Sequence, residues 1–346
     1  MKKILLKILK IFGVFLSLLF FIWLCLYINS KINIPEGNTV SYPKGVWLPV
    51  PTDAFLSVYF DTEQLKEDGI NTISLGPLAM NRIVSVITKP FYASLVKKAH
   101  KEGFAVHIAP LSWGPGFDTT SGDTTLENLL TSEAIYWAEF SEQYNIEYFS
   151  PQNEHDVVLG PELGAEWAQE VLPLVRAEYN GEIILKMGHI NAPDGEIGEY
   201  TIFMESFVIP EEGVVDYWEI TFSDATGYDY IMIDFFPPDE LTDNQLFMND
   251  LESILIAAQE EADKKSLKGV MVGEFGYPLK KPKISESIMP GVIVTEEEQA
   301  EMIGEYLDTA MPLVDGIIHC GYRMEGYGFA NQPAEEIIKQ KFTVDY

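Results

Sequence analysis

The chain has 346 residues and is strongly acidic, with 53 acidic side chains against 23 basic ones and a formal net charge of −30. This balance argues against nucleic acid or anionic lipid as a partner of the folded domain, and it suits a neutral substrate. The two cysteines, Cys25 and Cys320, both lie in apolar runs. We therefore expect no intrachain disulfide and a domain held together by its core.

Residues 1–31 predict a membrane anchor. Lysines stand at positions 2, 3, 7 and 10, and the 18 residues of 11–28 contain only one polar side chain, Ser17. A run of this length is about enough to cross a bilayer, and its basic flank stays inside the cell. We expect a single-pass helix at the cell membrane with the remaining chain outside. A cleaved signal peptide and a secreted product are the alternative, although no small-x-small cleavage site follows the run.

After a linker at 32–44, the sequence from 45 to 346 alternates apolar runs with amphipathic stretches. The runs predict eight strands, at 45–50, 71–78, 104–113, 146–151, 183–190, 228–236, 269–275 and 315–322. The amphipathic stretches predict helices at 62–68, 91–102, 125–144, 164–179, 196–208, 243–265, 295–310 and 333–341.

The strand-like runs are almost continuously apolar, as expected of parallel strands covered on both faces. Eight strand–helix units in about 300 residues predict an α/β fold, a (β/α)8 TIM barrel. A doubly wound open sheet is the alternative, but no glycine-rich phosphate loop follows the first strand. Active sites of such barrels lie at the carboxyl ends of the strands.

Two of these strand ends carry a glutamate. The fourth strand runs into "FSPQNEHD", with Asn153 and Glu154, and the seventh ends in "VMVGEFGYP", with Glu274 between two glycines. A charged side chain in an apolar run is costly to bury unless it is paired. One glutamate alone is more simply a cap or an ion pair. Two, on opposite sides of the barrel mouth, match the carboxylate pair of a retaining glycosidase, about 5 Å apart.

"PQNEHD" and "GEFGYP", 120 residues apart, resemble clan A of the glycoside hydrolases, which are retaining (β/α)8 enzymes similar to β-mannanases, β-galactanases and family 5. The resemblance implies that Glu154 is the general acid/base and Glu274 the nucleophile. It also implies that Asn153 binds the hydroxyl beside the anomeric carbon.

The sequence departs from this pattern at three places. His155 follows the Asn-Glu pair where clan members usually have proline. Phe235 and Phe236 end the sixth strand where relatives often carry a tyrosine that donates to the nucleophile. The eighth strand leads to Tyr322 in place of a tryptophan. These departures leave the sugar and the linkage open.

Further strand ends supply candidate substrate-binding residues. Trp113, in "LSWGPG", suits a stacking platform for a sugar ring. Arg82 is a candidate to hold the nucleophile ionised, although a surface ion pair explains it equally well. A core role is the alternative for His107. The full expected set is Asn153, Trp113, His155, His107, Arg82, Tyr228 and Tyr322.

Double displacement needs no cofactor, and the scattered histidines give no metal motif. We therefore expect no cofactor, no metal and no nucleic acid, with an oligo- or polysaccharide as substrate. Two other hypotheses stay open: a catalytically inactive barrel that binds cell-surface glycan, and a barrel hydrolase or lyase of other chemistry.

Overall fold

The structure is a computed structural model that describes residues 31–79, 81–112, 124–188, 225–237, 244–279 and 293–344, with isolated positions between 12 and 29. The strands are β1 (Lys44–Leu48), β2 (Thr72–Leu75), β3 (Ala105–Ile108), β4 (Tyr148–Phe149), β5 (Glu182–Met187), β6 (Tyr230–Asp234), β7 (Gly269–Phe275) and β8 (Gly316–Cys320).

The helices lie between and after these strands. They are α1 (Pro51–Phe60), α2 (Thr62–Glu67), α3 (Arg82–Glu102), α4 (Thr124–Gln143), α5 (His155–Leu159), α6 (Pro161–Glu178), α7 (Asn244–Lys265), α8 (Glu296–Ala310) and α9 (Pro333–Phe342), with a 3₁₀ turn at Met311–Leu313.

The eight strands form a closed barrel in sequence order, and every neighbouring pair is parallel, including β1 with β8. The (β/α)8 prediction is therefore confirmed, and the open sheet is excluded because no edge strand remains. Parallel order follows from the helical crossover that returns the chain to the same end of the barrel after each strand. All carboxyl ends consequently meet at one mouth.

Two apolar layers hold the barrel. The larger one fills the space between the strands and the helices, where stripes such as Leu130, Ala134 and Trp137 of α4 pack on the sheet. The smaller one fills the inside of the barrel and includes Trp47, Tyr148 and Cys320. Side chains along each strand point alternately into the two layers, so each strand is buried on both faces.

The element bounds differ from the sequence prediction in places. Helix α1 was not predicted; it begins with Pro51, whose ring favours the first helical turn. Helix α3 begins nine residues earlier than expected, because the side chain of Asn81 caps it by accepting from Ile83 N and Val84 N. The helix expected at 196–208 lies outside the described residues.

No helix in the part of the chain that the structure describes is long and apolar enough to cross a bilayer. The expected anchor at 1–31 falls mostly outside the described residues and stays a prediction.

Candidate functional site

The segment after β4 places Asn153 and Glu154 at the mouth of the barrel. Asn153 N donates to Pro110 O across 2.9 Å, which ties the segment to the end of β3. Glu154 then adopts φ 51° and ψ 57°, a left-handed conformation that is uncommon for a residue with a side chain. Such backbone strain persists only where the surroundings fix it, and it concentrates at functional sites.

Glu274 reaches the inside of the barrel through an irregularity in β7. The register between β6 and β7 shifts after Ile233, so that Asp234 pairs with Glu274. Gly273 is required here, because a Cβ at this position would collide with Oδ1 of Asp234 and lie 2.5 Å from Cγ of Met232. The result places two carboxylates side by side on neighbouring strands.

A buried lysine joins these carboxylates. Lys186 lies on β5 and is only 1% exposed. Its Nζ donates to Oε1 of Glu274 across 2.7 Å and also to Oδ2 of Asp234. The ammonium group lies 5.3 Å from the ring centroid of Trp47, within the range of a cation–π contact. A cation therefore sits at the bottom of the candidate site.

Glu154 belongs to the same electrostatic cluster. Burial, together with the negative charges of Glu274 and Asp156, raises the pKa of Glu154 to about 8, although Lys186 and the amide of Asn153 act in the opposite direction. Glu154 thus holds a proton at neutral pH. A carboxylic acid protonated near pH 7 is what a general acid requires.

Asp234 and Lys186 complete the charge pattern. Burial raises the pKa of Asp234 well above its ordinary value, with Glu274 and Glu154 adding to the shift and Lys186 opposing it. Burial acts to lower the pKa of Lys186, but the three carboxyl groups outweigh it and raise the pKa. One ammonium faces three carboxyl groups, so the cluster cannot hold all three as carboxylates without a large electrostatic cost.

Asn153 contacts the expected acid directly. Its Nδ2 donates to Oε2 of Glu154 across 2.8 Å. Its Oδ1 is buried and has no hydrogen-bond partner among the described residues. A buried acceptor without a partner is costly, so a hydroxyl group of a bound ligand would stabilise it.

The structure places His107 inside the barrel, on β3. Its two ring nitrogens lie 2.7 Å from Oγ of Ser74 and 2.9 Å from Oγ of Ser150. Burial and the charge of Lys186 lower the pKa of His107 to about 3, so the ring is neutral. Since both nitrogens are engaged by protein hydroxyls, the structure favours the core role over substrate binding.

Arg82 is not brought to the glutamates. It is the exposed first residue of α3, where its guanidinium lies 4.0 Å from the ring centroid of Tyr136 and donates to Ser132 O. In the part of the chain that the structure describes, the cation that contacts Glu274 is Lys186 and not Arg82. The sequence pattern placed Arg82 near the end of the second strand, whereas the structure makes it the first residue of α3, after the capping residue Asn81.

Neither of the two expected tyrosines points into the cluster. Tyr228 precedes β6, at the amino end of the barrel, and its hydroxyl donates to Ala168 O on α6. Tyr322 follows β8 and is 2% exposed; its hydroxyl lies 3.4 Å from Oε1 of Glu335 on α9, and its ring packs edge-on against Phe329. Both are better explained as core residues between strands and helices.

His155 lies behind the site. Its Nδ1 donates to the backbone carbonyl of Lys186 across 3.0 Å, and its ring lies near Trp167 of α6. His155 therefore supports β5, and these contacts explain the residue without a role in sugar binding. Trp113 falls outside the described residues, so its stacking role stays a prediction.

Sequence reasoning missed Lys186. The signal was present, because "IILKMGHI" buries a lysine in a strand-like apolar run just as "VMVGEFG" buries Glu274. Asp234 in "IMIDFF" gives the same signal, a charged side chain in an apolar run. Among the described residues, no group of three or more histidine, cysteine, aspartate or glutamate side chains is arranged to hold a metal ion.

No family model matches the sequence, and no curated protein sequence matches it. Solved structures do match in fold. A GH113 β-1,4-mannanase aligns with a TM-score of 0.59 and 14% identity, covering 88% of this chain and 100% of that chain. The endo-β-1,4-mannanase of Thermotoga petrophila gives 0.57 and 10%, covering 90% and 77%.

A family 1 β-glucosidase from Thermotoga maritima also has a TM-score of 0.57 at 10% identity, covering 90% of this chain and 98% of that chain. The resemblance to clan A glycoside hydrolases, first drawn from two short motifs, is therefore confirmed at the level of the fold. At these identities the likeness is one of architecture.

Proposed function

We propose that this barrel is a retaining glycoside hydrolase that cleaves a β-linked glycan, with Glu154 as general acid/base and Glu274 as nucleophile. The observation that carries the proposal is the shared cluster: the two side chains come from the segments at the ends of β4 and β7, and burial, with the charge of Glu274 adding to it, raises the pKa of Glu154 to about 8. Two carboxyl groups with different protonation states are what this mechanism uses.

In the first step, a carboxylate oxygen of Glu274 attacks the anomeric carbon while the bond to the leaving oxygen breaks. Glu154 gives its proton to that oxygen, so the leaving sugar departs as an alcohol. The products of this step are a glycosyl ester on Glu274 and an ionised Glu154. Before this step Lys186 bonds to the carboxylates of Asp234 and Glu274. After the step Glu274 is an ester, and Asp234 remains as the counter-charge of Lys186.

In the second step, the ionised Glu154 takes a proton from water as the water oxygen attacks the anomeric carbon. The ester bond breaks, Glu274 leaves as a carboxylate, and Glu154 is protonated again. Two inversions give net retention at the anomeric centre. Glu154 is thus protonated again, the state that burial and the charge of Glu274 favour by raising its pKa.

The substrate proposal is a neutral β-linked polysaccharide or oligosaccharide. Asn153 offers its unpartnered Oδ1 to a sugar hydroxyl, and Trp113 is proposed as the stacking platform. The mannanases among the structural neighbours make β-mannan the first polymer to test, followed by β-galactan. We also propose that the domain acts outside the cell, held at the membrane by residues 1–31 or secreted after their cleavage.

An inactive glycan-binding barrel is the second candidate function. The observation that favours it is the ion pair between Lys186 and Glu274, since a carboxylate held by an ammonium is a weaker nucleophile. Under this hypothesis the chain binds a glycan without turning it over, and no covalent intermediate forms.

The test is covalent trapping. The full chain is incubated with 2-deoxy-2-fluoro-glycosides that carry a dinitrophenyl leaving group, in the manno, gluco and galacto series, and the labelled peptide is identified by mass spectrometry. The proposal predicts one label on Glu274 that is lost in Glu274→Gln. Labelling elsewhere, or binding of a glycan without labelling or hydrolysis by any member of the series, would reject it.

A further inference from the structure

Building on the proposed function, we propose that Lys186 is the positioning residue of the nucleophile: it fixes one oxygen of Glu274 and leaves the other to attack, while Asp234 anchors the lysine. Phe235 and Phe236 follow β6, and a phenylalanine has no hydroxyl to donate to Glu274. The donor comes from β5.

The two oxygens of Glu274 have different partners. Oε1 accepts from Nζ of Lys186 across 2.7 Å, a charge-assisted hydrogen bond. Among the described residues, Oε2 accepts only from the thiol of Cys320, whose Sγ lies 3.5 Å away and is a weak donor. The strong bond therefore fixes the carboxylate through Oε1, and Oε2 is the oxygen left for the anomeric carbon.

The groups around Lys186 indicate that its ammonium group serves to bind carboxylates. Residues from six neighbouring segments face it or share its cluster: Trp47 on β1, His107 on β3, Glu154 after β4, Asp234 on β6, Glu274 on β7 and Cys320 on β8. His107 is neutral, and Cys320 is a thiol whose pKa burial and Glu274 raise. Among the described residues, the acids are the groups of opposite charge that stabilise the ammonium group, with the ring of Trp47 beside it.

Asp234 explains how the lysine stays charged during the reaction. When Glu274 becomes an ester, its negative charge is consumed and the ammonium loses one partner. The bond to Oδ2 of Asp234 remains, so Lys186 is never an isolated buried charge. Asp234 therefore keeps Lys186 in place through both steps.

The experiment compares the full-length chain with Lys186→Met, which keeps the length of the side chain and removes its charge, and with Asp234→Asn. Lys268→Met is the matched control, because that lysine is half exposed and pairs with Glu182 and Asp229 at the amino end of β7. Thermal melts identify variants that fail to fold. If Lys186→Met fails to fold, Lys186→Arg, which keeps the charge, replaces it.

For Lys186→Met we expect the rate constant of trapping at Glu274 to fall about 10²- to 10³-fold with little change in the concentration for half-saturation, as for loss of one preorganised donor. On a substrate with a poor leaving group, the alkaline limb of the pH profile of kcat/KM for Lys186→Met should move to higher pH, since Lys186 lowers the pKa of Glu154. The rate constant of trapping should fall less in Asp234→Asn. In Lys268→Met it should stay within about twofold of the wild-type value, as expected for an exposed pair. An unchanged trapping rate in Lys186→Met would overturn the inference.

Crystal structures of the wild-type chain and Lys186→Met separate this inference from the proposed function. If the wild-type chain traps nothing, the proposed function fails, but the position of the Glu274 carboxylate still tests Lys186. A carboxylate that rotates away from its wild-type position supports the positioning role. A carboxylate that stays in place in Lys186→Met refutes it, whatever the activity.

Discussion

Asp234 and Glu274 are register partners on β6 and β7, and a single ammonium group, Nζ of Lys186, bonds to both. In a regular ladder the pairing would continue from Ile233 with Val272 to the next residues along each strand. The shift by one residue brings Glu274, and not Gly273, opposite Asp234. A local irregularity of this kind re-aims a side chain, here into the mouth of the barrel.

Glu154→Gln tests the acid/base assignment. We expect kcat/KM to fall about 10²- to 10⁴-fold on a substrate with a poor leaving group, because protonation of the leaving oxygen is lost. On a dinitrophenyl glycoside, which needs no proton, the first step should be nearly unaffected, and added azide should accelerate the second step. Steady-state kinetics and product analysis measure both effects.

Glu162→Gln is the matched control for that substitution, since Glu162 is an exposed residue on the first turn of α6. Its kinetics should equal those of the wild-type chain. Equal losses on good and poor leaving groups in Glu154→Gln would contradict the assignment of Glu154 as the acid.

The pH dependence of the first step follows from the raised pKa of Glu154. The acid must be protonated, and it loses its proton as pH rises through about 8. We therefore expect kcat/KM to hold up to neutral pH and to fall above about pH 8, tenfold per pH unit. A pH–rate profile on a poor-leaving-group substrate measures this limb. A limb near pH 4.5, the ordinary value for glutamate, would show that burial does not hold the proton.

Arg82→Met distinguishes the two cations considered for the nucleophile. Because Arg82 contacts Tyr136 and Ser132 on α4, its loss should cost about 0.5–1 kcal/mol of stability and leave kcat/KM within about twofold. Thermal melts and kinetics measure the two quantities. A large loss of activity in a variant that melts normally would return Arg82 to the candidate site.

The sequence predicted the barrel and its two glutamates because these depend on local patterns. Apolar runs mark buried strands, and a polar tip marks a strand end, so Glu154 and Glu274 could be found without knowing any contact. The identity of the side chains that contact these two glutamates depends on packing instead. Whether Lys186 or Arg82 meets Glu274 is decided by strand register and by the start of α3, which no short stretch of sequence encodes.

The tyrosines also show what cannot be predicted from local sequence patterns. Tyr228 and Tyr322 lie near strand ends in the sequence, but the first stands at the amino end of β6 and the second turns outward to α9. An aromatic residue beside a strand is consistent with either a ligand platform or the core. Only the direction of its side chain distinguishes them.

His107 predicts a pH dependence of stability that is separate from catalysis. Its pKa is lowered to about 3 in the folded chain, so between pH 6.5 and 3 the unfolded state binds one more proton and the free energy of unfolding falls as pH falls. From pH 7 to 5 the wild-type chain should lose about 2 kcal/mol more than His107→Gln, as measured by urea unfolding. From pH 8 to 7 the two should change in parallel; parallel behaviour down to pH 5 would show that the ring is charged in the folded state.

Gly273→Ala tests whether the irregularity in β7 supports the site. The new methyl group would collide with Asp234 and lie 2.5 Å from Cγ of Met232, so we expect a loss of about 1–3 kcal/mol in stability, as for an overpacked core. Because the displaced carboxylate is the anchor of Lys186, activity should fall as well. Gly304→Ala, in the middle of α8, is the matched control: its nearest contact would be Ile337 at 3.4 Å, and alanine should stabilise that helix by about 0.5–1 kcal/mol. We expect the changes in stability to have opposite signs in the two variants and activity to be lost only in Gly273→Ala. Full activity in Gly273→Ala would mean that Asp234 does not need its present position.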